Sequence, residues 1–183
     1  MEFTLLEAKT MMNWHMVTDS EMVHLSLPQR FFEYAQAYRN AASALCLTMT
    51  SEDEACIWPN ATVVMLLAAH ATELFIKGAI LARDPTAMIE HHRIDDLSVE
   101  YRKRFPEPSF EWDIPFKTEW PDIAKAEIEA LKKTVPIPSI LYRYPVGKGG
   151  EEWNGAFGFE PNSFIGVLGQ LKRDFDRIKV QIT

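Results

Sequence analysis

The sequence predicts an all-α fold, an antiparallel up-and-down bundle of four to five helices with an irregular insertion rich in proline and aromatic residues. Three observations carry this. Apolar residues recur at the helical period of 3.6 in several long windows. The segments between those windows hold the prolines and acidic turn residues that stop helices. Runs with the strict alternation of a half-buried strand are absent. A chain of 183 residues with 47% apolar and 25% charged residues can bury a core of its own, and reads as one domain.

The first 25 residues are weakly patterned and are expected to lie as an arm on the body, with Met11, Met12, Trp14, Met16, Met22 and Val23 filling gaps. His15 and His24 in this arm have no acidic or cysteine partner at metal-ligand spacing. Residues 26–183 form the domain. Ser26 and Pro28 suit the cap and first turn of a helix running to about Met49, with Phe31, Phe32, Ala35, Tyr38, Ala42, Leu45 and Leu47 on its apolar stripe. Ser51–Glu54 is a solvated turn.

The next stretch, Asn60 to Arg83, organises the chain. Val63, Val64, Leu66, Leu67, Leu74, Ile76, Ile80 and Leu81 leave it almost no polar side, the mark of a buried helix. It would run roughly 36 Å. Asn60 is placed to cap it, and Asp84-Pro85 stops it. His70, Glu73 and Lys77 interrupt it too strongly for a membrane span, and their spacings of three, four and seven put them on one face. Charged groups on a central helix cost free energy unless each has a partner or a task.

Thr86–Arg93 is a connection or a short helical turn that brings His91, His92 and Arg93 together. Ile94–Phe105 reads as a third helix, with Asp95 and Asp96 at its N-terminus where the macrodipole favours acids. Residues 106–138 are the insertion. Phe110, Trp112, Phe116 and Trp120 would hold its first half to the surface, or offer a base-stacking platform. Pro121–Lys133 reads as a short amphipathic helix. Gly147–Gly158 lacks the GxxxxGK spacing of a phosphate loop and is expected to be a mobile loop. Asn162 or Ser163 caps a last helix to about Val180.

The net charge of −7 argues against binding nucleic acid through bulk charge and leaves room for a local basic site. Cys46 and Cys56 read as free thiols, with no metal spacing between them. MEFTLLEAKTMMNWHM has no basic start followed by an apolar run, so a cytoplasmic setting is expected. No metal, cofactor or membrane contact is expected.

Three segments carry a family resemblance. AHATELFIKGAIL at 69–81 resembles the AxELxLKAxLL core helix of HEPN domains. IDDL at 94–97 resembles the GHDL start of that family's next helix, and Tyr142-Arg143-Tyr144-Pro145 resembles the RYP segment before its last helix. The resemblance covers about 26–104 and 139–181. It implies a helical bundle, usually a homodimer. Family members include metal-independent, toxin-like endoribonucleases paired with minimal nucleotidyltransferases, and non-catalytic partners that bind nucleotides or RNA. The family's ribonuclease signature places a His four to six residues after an Arg. Here seven residues separate Arg83 from His91 and eight separate it from His92.

Metal-free RNA cleavage needs a base, an acid and a cation at the phosphorane. His70, His91 or His92 could supply the first two, and Arg93, Arg143 or Lys77 the third. The same residues have quieter roles. Glu73 and Lys77 suit an i,i+4 ion pair, His70 a core histidine, His91 and His92 an exposed connection, and Arg143 a structural ion pair with Glu73. The leading expectation is a HEPN-like protein binding RNA or a nucleotide in a polar pocket of His70, Glu73, Lys77, Arg143 and Tyr144, without efficient catalysis. The alternatives are a ribonuclease using His91, His92 and Arg93, and a protein-interaction module or nucleotidyltransferase partner.

Overall fold

A computed structural model describes residues 17–118, 120, 122–153 and 158–182. Among these the fold is all-helical: α1 (Leu27–Ser51), α2 (Trp58–Arg83), α3 (Ile94–Arg104), α4 (Lys125–Leu131), α5 (Pro138–Leu141) and α6 (Pro161–Ile182), with short 3-10 turns at Asp53–Ala55 and Pro108–Phe110. Most of the expected arm lies outside the described residues. Of its remainder, Val23 is exposed rather than packed, and its carbonyl accepts from Arg30 Nη2 at 3.1 Å.

Ser26 caps α1 as its sequence implies. The Ser26 N–H donates to Gln29 Oε1 at 2.8 Å and Gln29 returns its own N–H to the serine hydroxyl. The central helix starts two residues earlier than expected. Trp58 and Pro59 form its first turn, so Asn60 lies inside the helix and its amide reaches back to the Ala55 carbonyl at 2.8 Å. Proline fits there because the first helical N–H groups have no partner to lose.

Helix α2 is the core. By length and composition it could cross a membrane, but 72% of its most apolar window is buried inside the bundle. Phe32 of α1 meets Phe75 of α2 with ring centroids 5.3 Å apart, and Phe75 stacks flat on Phe175 of α6 at 4.0 Å. Gly78 lets α1 approach, since a Cβ there would lie 2.9 Å from Phe31 Cβ and from the Phe32 ring. Helices α1 and α2 are antiparallel. Helix α6 runs back along α1, from Pro161, whose carbonyl accepts from Cys46 Sγ at 3.4 Å, to Lys179, paired with Glu33 at 2.8 Å.

The 84–93 connection is extended rather than helical. It doubles back along α2 from Asp84 until His92 meets Glu73. Helix α3 then climbs until Arg104 reaches Asp84 at 3.3 Å.

The insertion does not merely lie on the surface. Phe110, Trp112 and Ile114 are buried with Tyr101 and Phe175 in the common core, so they offer no stacking platform. Tyr101 Oη donates to the Phe110 carbonyl at 2.9 Å, and Arg177 donates to the Ser109 and Glu111 carbonyls. Phe116 takes a left-handed backbone, φ 63°, and its ring faces Phe164. The helix expected at 121–133 is confined to Lys125–Leu131, and a further turn, α5, begins at Pro138. The cap of α6 also differs. Its first turn is held by Glu160, whose carboxylate accepts the N–H groups of Asn162 at 3.0 Å and Ser163 at 2.6 Å. These bonds, with the Asn162 and Ser163 side chains, hold Glu160 down at a pKa of about 2.

Candidate functional site

One face of α2 carries everything of chemical interest. At 100° per residue, Thr62, Leu66, His70, Glu73 and Lys77 fall within an arc of about 80°. Its middle is a polar cluster and its N-terminal third is the floor of a cleft.

The cluster centres on Glu73, 4% exposed. Lys77 Nζ donates to Glu73 Oε1 at 2.9 Å, and His92 Nδ1 reaches the same oxygen at 2.9 Å. His70 Nδ1 stands 3.7 Å from the other oxygen, beyond hydrogen-bond range. Burial pushes the Glu73 carboxyl up. His70, Lys77 and His92 outweigh that and hold its pKa at about 2, below the usual 4.5. An ionised carboxylate only accepts, so Nδ1 of His92 carries a proton and Nε2 faces outward on a side chain 66% exposed. Tyr38 of α1 packs edge-on against the His70 ring with centroids 4.6 Å apart.

The cluster is electrically closed. Lys77 is itself buried, and its charge is spent on Glu73. An incoming phosphate would find no spare cation here.

The expected pocket splits in two. Arg143 and Tyr144 join neither Glu73 nor Lys77. They lie in a separate cleft of about 740 Å³, whose wall is Leu141–Val146 with Glu152 and Trp153, and whose floor is Trp58, Pro59, Thr62, Val63 and Leu66 of α2. No ion pair forms between Arg143 and Glu73. Among the described residues the Arg143 guanidinium makes no ion pair or hydrogen bond, and it is exposed. Tyr144 is 52% exposed and Trp58 46%. Desolvation raises the pKa of the half-buried Tyr142. Trp153 is pinned to the Leu141–Val146 segment by its indole N–H, which donates to the Tyr144 carbonyl at 2.8 Å.

The glycine-rich stretch builds this wall. The Gly147 N–H donates to the Glu151 carbonyl at 2.8 Å and the Gly150 N–H to the Gly147 carbonyl at 3.0 Å, closing a tight turn. Gly150 sits at φ +85°, where glycine carries no Cβ penalty. The expected loop is thus a hydrogen-bonded turn over Gly147–Glu151, and residues 154–157 lie outside the described residues.

The proposed catalytic trio also separates. His92 belongs to the Glu73 cluster. His91 lines a small groove with Ile80, Ala87 and Glu100. Arg93 turns away, donating to the carbonyls of Lys132 at 2.7 Å and Val135 at 2.9 Å, 3.6 Å from Asp95 and under the Trp120 ring. It clasps the insertion and supplies no cation to His92. Trp58, Trp153 and Glu152 went unnoticed in the sequence as site residues. The aromatic content of 58 and 153 beside RYP was the only available signal, since their approach is long-range. Among the described residues, no group of three or more His, Cys, Asp and Glu side chains is placed to hold a metal ion.

No family model, curated protein or solved structure matches this chain.

Proposed function

We propose that this protein binds a nucleotide, or a short single-stranded RNA segment, in the Arg143 cleft without efficient catalysis. One observation carries the reading: an exposed guanidinium that has no ion-pair partner among the described residues stands in a cleft lined by Trp58, Tyr142, Tyr144 and Trp153. Aromatic faces stack any base, and arginine pairs with phosphate through two parallel hydrogen bonds. The volume of about 740 Å³ falls in the range of small-ligand sites. The net charge of −7 favours a short ligand over a long polyanion.

The test is isothermal titration with 5′-mononucleotides and short RNAs. Arg143→Ala and Tyr144→Ala weaken binding and leave thermal stability within about 0.5 kcal/mol, because both are exposed. Lys77→Ala lowers stability and spares binding. Loss of binding in Lys77→Ala at temperatures where it is folded would return the site to the Glu73 cluster.

The outward Nε2 of His92, held by Glu73 through Nδ1, favours a second reading, a general base for RNA cleavage. RNA cleavage by the parent that disappears in His92→Ala, with the fold retained, is its signature.

A further inference from the structure

We infer that the Arg143 cleft selects a guanine base, with the carboxylate of Glu152 reading its Watson–Crick edge. The inference rests on the nucleotide-binding reading above and adds the identity of the base.

Among the described residues Glu152 is the one carboxylate that lines the cleft. Its neighbour Glu151 is already engaged, folded back over the turn so that its Oε2 accepts the Gly149 N–H at 2.8 Å. Among the described residues Glu152 has neither a hydrogen bond nor an ion pair for its carboxylate, although Arg143 lines the same cleft. The wall that carries it is fixed on both sides, by the closed Gly147–Glu151 turn and by the Trp153 indole on the Tyr144 carbonyl. So this cleft presents one positive group, one negative group and aromatic faces.

A carboxylate repels phosphate. In a nucleotide site its partners are donors, either the ribose hydroxyls or the N–H groups of the base, because an ionised carboxylate only accepts. Glu152 adjoins Trp153, one of the aromatic faces that would stack the base, and this favours the base edge. The four bases differ sharply on that edge. Guanine offers N1–H beside its N2 amino group, two adjacent donors matched to two carboxylate oxygens. Adenine and cytosine each set one amino group next to a ring-nitrogen acceptor, which the second oxygen would repel. Uracil sets a single N–H between two carbonyls. The expected order is guanine first, adenine and cytosine next, uracil last. A bidentate pair of this kind corresponds to about fivefold discrimination or more.

The experiment is calorimetric titration of the full chain with the 5′-monophosphates of guanosine, adenosine, cytidine and uridine at one fixed salt concentration. Glu152→Gln and Arg143→Ala are run beside the parent, with circular dichroism as the fold control. The parent is expected to bind the guanosine nucleotide at least about fivefold more tightly than the adenosine one. Glu152→Gln should lose that preference and gain on adenine, since an amide offers one donor and one acceptor. Arg143→Ala should weaken all four alike, as a phosphate contact does. Equal binding of the four by the parent, or an unchanged guanine preference in Glu152→Gln, overturns this inference and leaves the nucleotide reading intact. Binding of none of them by the parent overturns both.

Discussion

Replacing Glu73 by Gln keeps the shape of the side chain and removes its charge, which strands the Lys77 ammonium at 7% exposure. The size of the effect can be reached in two ways. Breaking a buried ion pair from one side costs about 3–5 kcal/mol, because the remaining charge is desolvated without compensation. Independently, the Glu73 pKa stands at about 2 against an ordinary 4.5. At about 1.4 kcal/mol per pKa step, that is roughly 3 kcal/mol in favour of the folded, ionised state. For a chain of this size each kcal/mol moves Tm by about 2–4 °C, so Glu73→Gln should melt roughly 10 °C below the parent at pH 7. The pH dependence has a definite sign. A depressed carboxylate pKa contributes fully above 4.5 and is lost as pH falls toward 2. His70, Lys77 and His92 all face this carboxylate, and the parent's advantage over the variant should shrink across that window. Adding Lys77→Met to Glu73→Gln should recover about 1–3 kcal/mol, since it removes the stranded charge. The assay is differential scanning calorimetry from pH 7 to pH 3, with urea titration beside it. A Glu73→Gln variant as stable as the parent at pH 7 would refute the account, as would an advantage that grows below pH 4.5.

Three other outcomes follow from the packing. Arg39 lies in the buried stripe of α1 with, among the described residues, only Asn40 as a hydrogen-bond partner, and desolvation lowers its pKa despite Asp176. Arg39→Met should therefore be neutral or stabilising by about 1 kcal/mol in urea titration; a loss above about 2 kcal/mol would contradict that. Gly78→Ala forces a methyl group to within 2.9 Å of Phe31 and Phe32, and should cost about 1–3 kcal/mol in the same assay. Cys56 is exposed and Cys46 is buried with its thiol pKa raised by desolvation and by Glu160. A thiol reagent at neutral pH should label one cysteine in the native protein and both in denaturant.

Local patterns reported local structure faithfully. The Ser26 cap, the all-round apolar run of α2 and the Glu73–Lys77 spacing each depend on residues a few positions apart, and each is found as read. The larger misreadings fall where a distant segment decides, whereas the caps assigned to Asn60 and to Asn162 or Ser163 were misplaced by local sequence alone. Arg143 is 70 residues from Glu73, and nothing in either stretch reveals that the α5 turn carries it to the other end of α2. His92 reaches Glu73 only because the 84–93 connection turns back. The insertion reads as surface because its prolines exclude long helices, yet Phe110, Trp112 and Ile114 complete the core. Glu160 was overlooked as a cap because Asn162 and Ser163 are the commoner cap residues.

The junction at His92–Asp96 ties together parts that are far apart in the chain. His92 is held by the core helix, Arg93 holds the Lys132 and Val135 carbonyls, Asp95 accepts the Thr118 N–H at 2.6 Å, and Asp96 pairs with Lys132 at 2.7 Å. Four of these five residues thus fasten both the returning connection and the far half of the insertion. Neither can open alone without breaking bonds that the other shares. In hydrogen exchange the 84–93 segment and residues 117–135 should behave as a single cooperative unit, opening together well before the α1–α2–α6 core exchanges.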